Sequence, residues 1–505
     1  MKLPALIRTL LAISMAALVA GVGTAARGEV EPNSLFSEGA VLQQGVAVPV
    51  WGAGKDGEQI TVKIQDQTVS TTVRDGRWLV RLKPMKAGGP FTMTFTGDNT
   101  ITLTNVLVGE VWLCSGQSNM AFHLGAAATA AEAIAAAGDS QLRLFTVKYG
   151  ATDTPKTDPS GNWKASSPET ARSFSAVAWF FGRDLRRALK VPVGLIHSSV
   201  GGTPAEAWTD RATLEGDPEL KEILEKYAEQ VKNYDPAAAA AQHQRALEKH
   251  KLAVEKAKAE GKKPPQAPQK PADPRQASVR PCGLYNAMIA PLEPYAIAGA
   301  IWYQGESNSG RAGQYRKLFP AMIQDWRQAW GQGDFPFLFV QIAPHQGMKP
   351  EIREAQLLSW QKVPRTAMAV ITDVGDEKDI HPTKKEPVGA RLALAARAIA
   401  YGENIEYSGP VYASMKIEGN RAILTFTHVG SGLMAKDGEL KGFTVAGADG
   451  SFVPAKATID EDTVVVSSSE VATPVAVRYG WTNAPDVNLF NKDGLPATPF
   501  RTDVK

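Results

Sequence analysis

Val106-Leu107-Val108-Gly109-Glu110-Val111-Trp112-Leu113-Cys114 runs directly into Ser115-Gly116-Gln117-Ser118-Asn119-Met120. The first part is almost unbroken apolar sequence, the pattern of a strand buried on both faces. The second part is small and polar, the pattern of a turn. Four more runs repeat the arrangement: Val191 to Ser198, Ile297 to Tyr303, Phe335 to Ile342 and Ala367 to Thr372. Between them Val177, Phe181, Leu185 and Leu189 recur at helical spacing, and Tyr315 to Trp330 behaves alike. The alternation predicts an α/β layered domain over residues 106–407, with a central parallel sheet.

The flanks read differently. Ala47 to Trp51, Ile60 to Ile64 and Phe91 to Phe95 are short strand-like runs separated by Gly, Asp and Asn. They predict a β-sandwich-like region over 29–105. Ala422 to Phe426 and Thr463 to Val466 predict a similar region over 408–505. Residues 216–281 interrupt the α/β pattern with charged, Ala-rich helical sequence that ends in prolines. They read as a solvated helical insertion with a Pro-rich connector, or as a lid or partner-binding arm.

Lys2 and Arg8, the apolar stretch Leu10 to Val22 and the small residues Gly23 to Ala26 read as a signal peptide spanning 1–28. The alternative is a membrane anchor, which the short core disfavours. The expectation is a secreted or periplasmic protein with no stable membrane insertion once the signal is removed. A formal net charge of +3 and no basic run interleaved with aromatics argue against nucleic acid. The two cysteines, Cys114 and Cys282, permit a disulfide in an exported protein. Cys114 ends an apolar run and reads equally as a buried free thiol.

In open parallel sheets, ligands bind beyond the carboxyl ends of the strands. Small and polar residues of catalytic type stand at four such ends. They are Ser118 after the first run, Gly201-Gly202-Thr203 after the second, Gln304 to Asn308 after the third and Asp373 to His381 after the last. A serine hydroxyl is a weak nucleophile until a base takes its proton. His381 is the best base, because it alone follows a strand end in a polar, Asp-rich loop. His197 lies inside an apolar run and reads as a core residue, and His345 is a weaker rival. Gly201, Gly202 and Gly305 permit close backbone approach to a developing oxyanion, and Gln304 or Asn308 can add a side-chain donor. Met120 stands where a Gly-x-Ser-x-Gly elbow has its second glycine, so an α/β-hydrolase is disfavoured.

These residues resemble the SGNH hydrolase superfamily, and within it the sialate O-acetylesterase family. The resemblance starts at Ser34-Leu35-Phe36 and Val41-Leu42-Gln43. It runs through Gly109 to Met120, Gly201 to Trp208, Trp302 to Asn308 and Asp379-Ile380-His381-Pro382, and ends at Asn488 to Ala497. It implies an SGNH-like three-layer catalytic domain and a serine esterase that removes acetyl groups from mono-, oligo- or polysaccharides, without cofactor or metal. It implies Ser118 as nucleophile and His381 as base, with an oxyanion glycine at Gly201 or Gly202, Gly202 being favoured. The superfamily's Asp three residues before the His is Lys378 here, so Asp379, Asp376 or a backbone carbonyl orients His381, or the site is a Ser–His dyad. Ser307 holds the place that usually supplies the oxyanion amide, which leaves Asn308 or Gln304 for that role. Glu306 either meets a substrate hydroxyl or stabilises its loop.

Trp208, Trp302 and Tyr303 are candidate sugar-stacking rings, though more often such residues are core. Three other readings compete. An acetylxylan or other polysaccharide acetylesterase shares all the chemistry. A non-catalytic carbohydrate-binding protein would keep the fold but has no need of Ser118 and His381. A metal-dependent hydrolase would use Asp373, Asp376, Glu377, Asp379 and His381, which lack a fixed ligand spacing.

Overall fold

The computed structural model describes residues 29–503. The expected signal peptide, residues 1–28, lies outside them. A seven-stranded central sheet carries the site. Its order is Trp163–Ser166, Asp139–Thr146, Val193–Ser199, Thr100–Gly116, Gly299–Tyr303, Phe337–Val340 and Thr366–Ala369. All neighbours are parallel except the first pair, so the sheet expected to be parallel is mixed. Trp163–Ser166 pairs antiparallel at the outer edge, where no crossover helix is needed. The sequence reading passes over Asp139–Thr146 because charge interrupts it. Arg143 in its middle is buried, with its guanidinium donating to Asn105 Oδ1 and to the carbonyls of Ser140 and Gly39.

Side chains alternate across this sheet, as period-two geometry requires. Val111, Leu113, Ala300, Trp302, Phe337, Phe339 and Met368 face one core with the helices Ala312–Trp330 and Pro350–Lys362. Trp112, Cys114, Ile301, Tyr303, Leu338, Val340 and Ala367 face the other, with Ala176–Leu189 and Glu386–Ile399. Each large side chain buried in this way contributes on the order of 1.5–3 kcal/mol. Helix boundaries follow local chemistry. Ser175 Oγ accepts from Ala178 N–H at the start of Ala176–Leu189, and Lys190 ends it in the left-handed region at φ 58°.

The strand Thr100–Gly116 is 17 residues long and crosses the boundary expected near residue 105. Its first half alternates between exposed and buried residues and pairs antiparallel with Gly88–Thr96. From Val106 it is continuously buried, and from Glu110 it lies inside the parallel sheet. The change of pattern in the sequence comes just before a change of partners and does not end the strand. Upstream, Glu31–Pro32, Val48–Ala53 and Arg77–Leu82 form a three-stranded sheet that packs on the other N-terminal strands through Val50, Ile60, Val62, Val80 and Phe95. Downstream, two four-stranded sheets enclose a separate core that includes Leu424, Val445, Val464, Val477 and Tyr479.

The 216–281 segment forms two helices, Pro218–Asn233 and Pro236–Ala259. The first buries Leu220, Ile223 and Leu224, and the second buries only Ala239. Cys114 and Cys282 are both free, buried thiols. Among the described residues no helix is long and apolar enough to cross a membrane.

Candidate active site

Ser118 opens the short helix Ser118–Ala121 directly beyond the central strand. The turn between them depends on Gly116 at φ 138°, where a Cβ would collide with the carbonyl of Tyr303. The neighbouring backbone is tied on both sides. Gln117 N–H donates to Tyr303 O at 2.9 Å, and Val200 N–H to Gly116 O at 3.2 Å. As the first helical residue, Ser118 has an N–H without an intrahelical acceptor.

His381 reaches this serine from the last strand end. Its Nε2 lies 2.8 Å from Ser118 Oγ, across 263 residues of sequence. The side chain is 41% exposed, so the pair opens to solvent. The loop before it is built from its own carboxylates. Asp376 Oδ1 accepts from the N–H groups of Lys378 and Asp379, and Asp379 Oδ1 accepts from His381 N–H at 2.8 Å. Asp379 Oδ1 is 3.8 Å from His381 Nδ1, beyond hydrogen-bonding distance. Asp376 is engaged with its own loop, and Asp373 forms a two-point pair with Arg391. Among the described residues no three His, Cys, Asp or Glu side chains converge as metal ligands.

The glycine that abuts Ser118 is Gly201, whose added Cβ would sit 3.4 Å from Ser118 Cβ. Gly202 is at φ 71°, with nothing within 4 Å of its Cβ position. Gln304 and Asn308 are buried and already paired. Asn308 Oδ1 accepts from Gln304 Nε2 at 2.6 Å and from Ala205 N–H at 2.9 Å. Asn308 Nδ2 donates to Glu206 Oε2 at 2.9 Å. Gln304 Nε2 also donates to Thr203 O, and Tyr315 OH donates to Gln304 Oε1. These two amides lock the third strand end to the glycine turn. Trp208, Trp302 and Tyr303 have no exposed surface and belong to the core.

Glu306 points under the Ser118 turn rather than into solvent. Its Oε1 accepts from Asn119 Nδ2 at 2.7 Å, and its Oε2 is buried without a partner. Burial raises its pKa above the ordinary carboxylate value. Asn119 Nδ2 also donates to Ile380 O at 3.0 Å, and Asn119 Oδ1 accepts from Lys385 Nζ at 2.5 Å. Lys385 is 1% exposed and lies over the rings of Phe122 and Tyr303 at 4.8 and 5.3 Å. Burial pushes its ammonium down to about 7. The sequence reading misses both Asn119 and Lys385. The one available signal is that Asn119 adjoins Ser118 and Lys385 follows His381 by four residues.

His197 is buried, with Nε2 2.6 Å from Ser199 Oγ and its ring against Phe174. His345 Nδ1 accepts from Gly347 N–H within its own turn.

Comparison with known proteins gives the family. The family model for carbohydrate esterases described as sialic acid-specific acetylesterase matches residues 108–247 and 277–398. The sialate O-acetylesterase of Mus musculus is 31% identical, over 90% of this chain and 91% of its own. That of Homo sapiens is 30% identical, over 92% and 91%. The crystal structure of a carbohydrate acetylesterase from Xanthomonas citri superposes with a TM-score of 0.80 at 38% identity, covering 94% of this chain and all of that one. With its matched segments spanning the Ser118 turn, the glycine turn and the His381 loop, the chain belongs to the sialic acid-specific acetylesterase family of carbohydrate esterases.

Proposed function

We propose that the protein is an exported serine esterase, built on an SGNH-type layered catalytic domain, that removes O-acetyl groups from sugars of the sialate type. The observation that carries the serine mechanism is the 2.8 Å contact between Ser118 Oγ and His381 Nε2 at an open strand end. His381 takes the hydroxyl proton as Ser118 Oγ attacks the acetyl carbonyl. The N–H groups of Ser118 and of the Gly201–Gly202 turn receive the oxyanion, Gly201 being the glycine beside Ser118. The sugar oxygen leaves with the proton carried by His381. Water then attacks the acetyl-serine by the same route and releases acetate. No cofactor enters the scheme.

Asp379 assists as an anion near the imidazolium rather than through a hydrogen bond to the ring. Gln304 and Asn308 serve the site by fixing its walls, since their amides are already paired. Export rests on the leader-like sequence of residues 1–28.

The test is aryl-acetate hydrolysis by wild type and Ser118→Ala. The expected result is a loss of about 10⁴-fold or more in kcat. Unchanged turnover in the variant refutes the serine mechanism. The sugar is tested separately, by acetate release from O-acetyl sialic acid and from acetylated xylan. Preference for the first is expected from the two mammalian relatives, and preference for xylan would replace sialate by a plant polysaccharide.

A further inference from the structure

We propose that Lys385 is a positioning residue for the reaction: acting through Asn119, it holds the His381 loop at the distance from Ser118 that proton transfer needs. The inference rests on the serine-esterase reading above.

Asn119 is the residue next to Ser118 and has no exposed surface. Its amide grips the His381 loop at two points. Nδ2 holds the carbonyl of Ile380, the residue before His381, and Oδ1 receives the ammonium of Lys385, four residues after it. The segment 380–385 is thereby stapled at both ends to the turn that carries the nucleophile. Few other bonds fix this segment from outside, the main one being Ala128 N–H to Thr383 O at 2.9 Å. His381 itself is tied within its loop to Asp379, which is largely exposed.

The chemistry of the amide explains why a donor is needed at one end. An amide's oxygen and nitrogen ends are nearly equal in shape and opposite in demand. Glu306 Oε1 and Ile380 O both require a donor, so Asn119 must turn its Nδ2 to them. Its oxygen is then left in a buried site, where an unmet acceptor is costly. Lys385 supplies the donor, and its charge offsets that of Glu306 on the far side of the same amide. Phe122 and Tyr303 present their ring faces to the ammonium, so no water is needed to complete its surroundings. No step of the mechanism uses Lys385 directly.

The experiment measures kcat and KM for an aryl acetate in Lys385→Met, Asn119→Ala and the double variant, beside Lys385→Gln and Ser118→Ala. Circular dichroism and melting identify folded samples. In K385M, kcat is expected to fall about 10- to 100-fold with KM changed less than about threefold, the signature of a misplaced base. K385Q keeps a donor for Asn119 Oδ1 and is expected to recover part of that loss. If K385M does not fold, N119A carries the test, since the proposal acts through Asn119. If Lys385 acts through Asn119, the double variant loses no more than N119A alone.

A kcat within twofold of wild type in K385M, or in N119A if K385M does not fold, overturns the inference. So does a double variant whose loss is the product of the two single losses. An active Ser118→Ala would instead overturn the serine mechanism, which keeps the two failures distinct.

Discussion

Two serine–histidine pairs lie close among the described residues, and they differ in almost everything except distance. Ser118 Oγ is 2.8 Å from His381 Nε2, and Ser199 Oγ is 2.6 Å from His197 Nε2. The second pair sits within one strand, Val193–Ser199, where residues two apart share a face. Its histidine is 8% exposed and is pushed down to about 4, first by burial and then by the neighbouring His123. A base that weak takes few protons from a hydroxyl near neutrality. The first pair joins two different strand ends, stands open to solvent and has a glycine turn beside its serine. A short Ser–His contact is therefore a poor sign of catalysis by itself. Exposure of the pair and a glycine turn beside the serine separate the pair proposed to react from the buried one.

The sharpest way to break this contrast is to disable each pair in turn. His381→Ala is expected to lower kcat/KM for an aryl acetate by about 10²- to 10⁴-fold. Ser199→Ala should stay within about twofold of wild type in the same assay. Equal losses would erase the distinction.

The buried histidine has a signature of its own, in stability. Its folded pKa of about 4 lies below the ordinary 6.5, so between these values the unfolded chain binds a proton that the folded chain refuses. Stability from His197 is full above pH 6.5 and is lost as pH falls toward 4, by an amount on the order of 3 kcal/mol. In His197→Phe the drop in melting temperature between pH 7 and pH 4.5 should be smaller than in wild type. An unchanged drop would show that His197 ionises freely.

Asn308→Ala tests how the open pair is framed. The change leaves Ala205 N–H, Gln304 Nε2 and Glu206 Oε2 each short of a buried partner. A loss of about 2–3 kcal/mol is expected, read from denaturant midpoints. The smallest effect is expected at Asp379, which is exposed and 3.8 Å from the ring. Asp379→Asn should reduce kcat/KM less than about tenfold. A loss near 10³-fold would mean that the carboxylate closes onto His381 Nδ1 during turnover.

Much of this was legible in the residues, for identifiable reasons. Strands buried on both faces leave continuous apolar runs; those at Gly299–Tyr303 and Phe337–Val340 fall inside the runs read from the sequence, and Thr366–Ala369 begins one residue before its run. Asp139–Thr146 did not announce itself, because Arg143 is buried through hydrogen bonds that only tertiary structure supplies. Ser118 and His381 could be picked out because each follows such a run. Their fine placement could not, since it depends on which neighbour is already paired. Gln304 and Asn308 look like free amide donors in a motif and are occupied in the fold. Lys385 looks like a surface lysine and is buried against Asn119.

The 17-residue strand Thr100–Gly116 bears on how the chain matures. Synthesis delivers its antiparallel partner, Gly88–Thr96, first, so the leading half can dock while the trailing half still lacks Val193–Ser199 and Gly299–Tyr303. For that interval the stretch from Glu110 to Gly116, which leads into Ser118, lacks both of its parallel neighbours. Residue 381 arrives later still, so hydrolytic competence is among the last properties the nascent chain acquires.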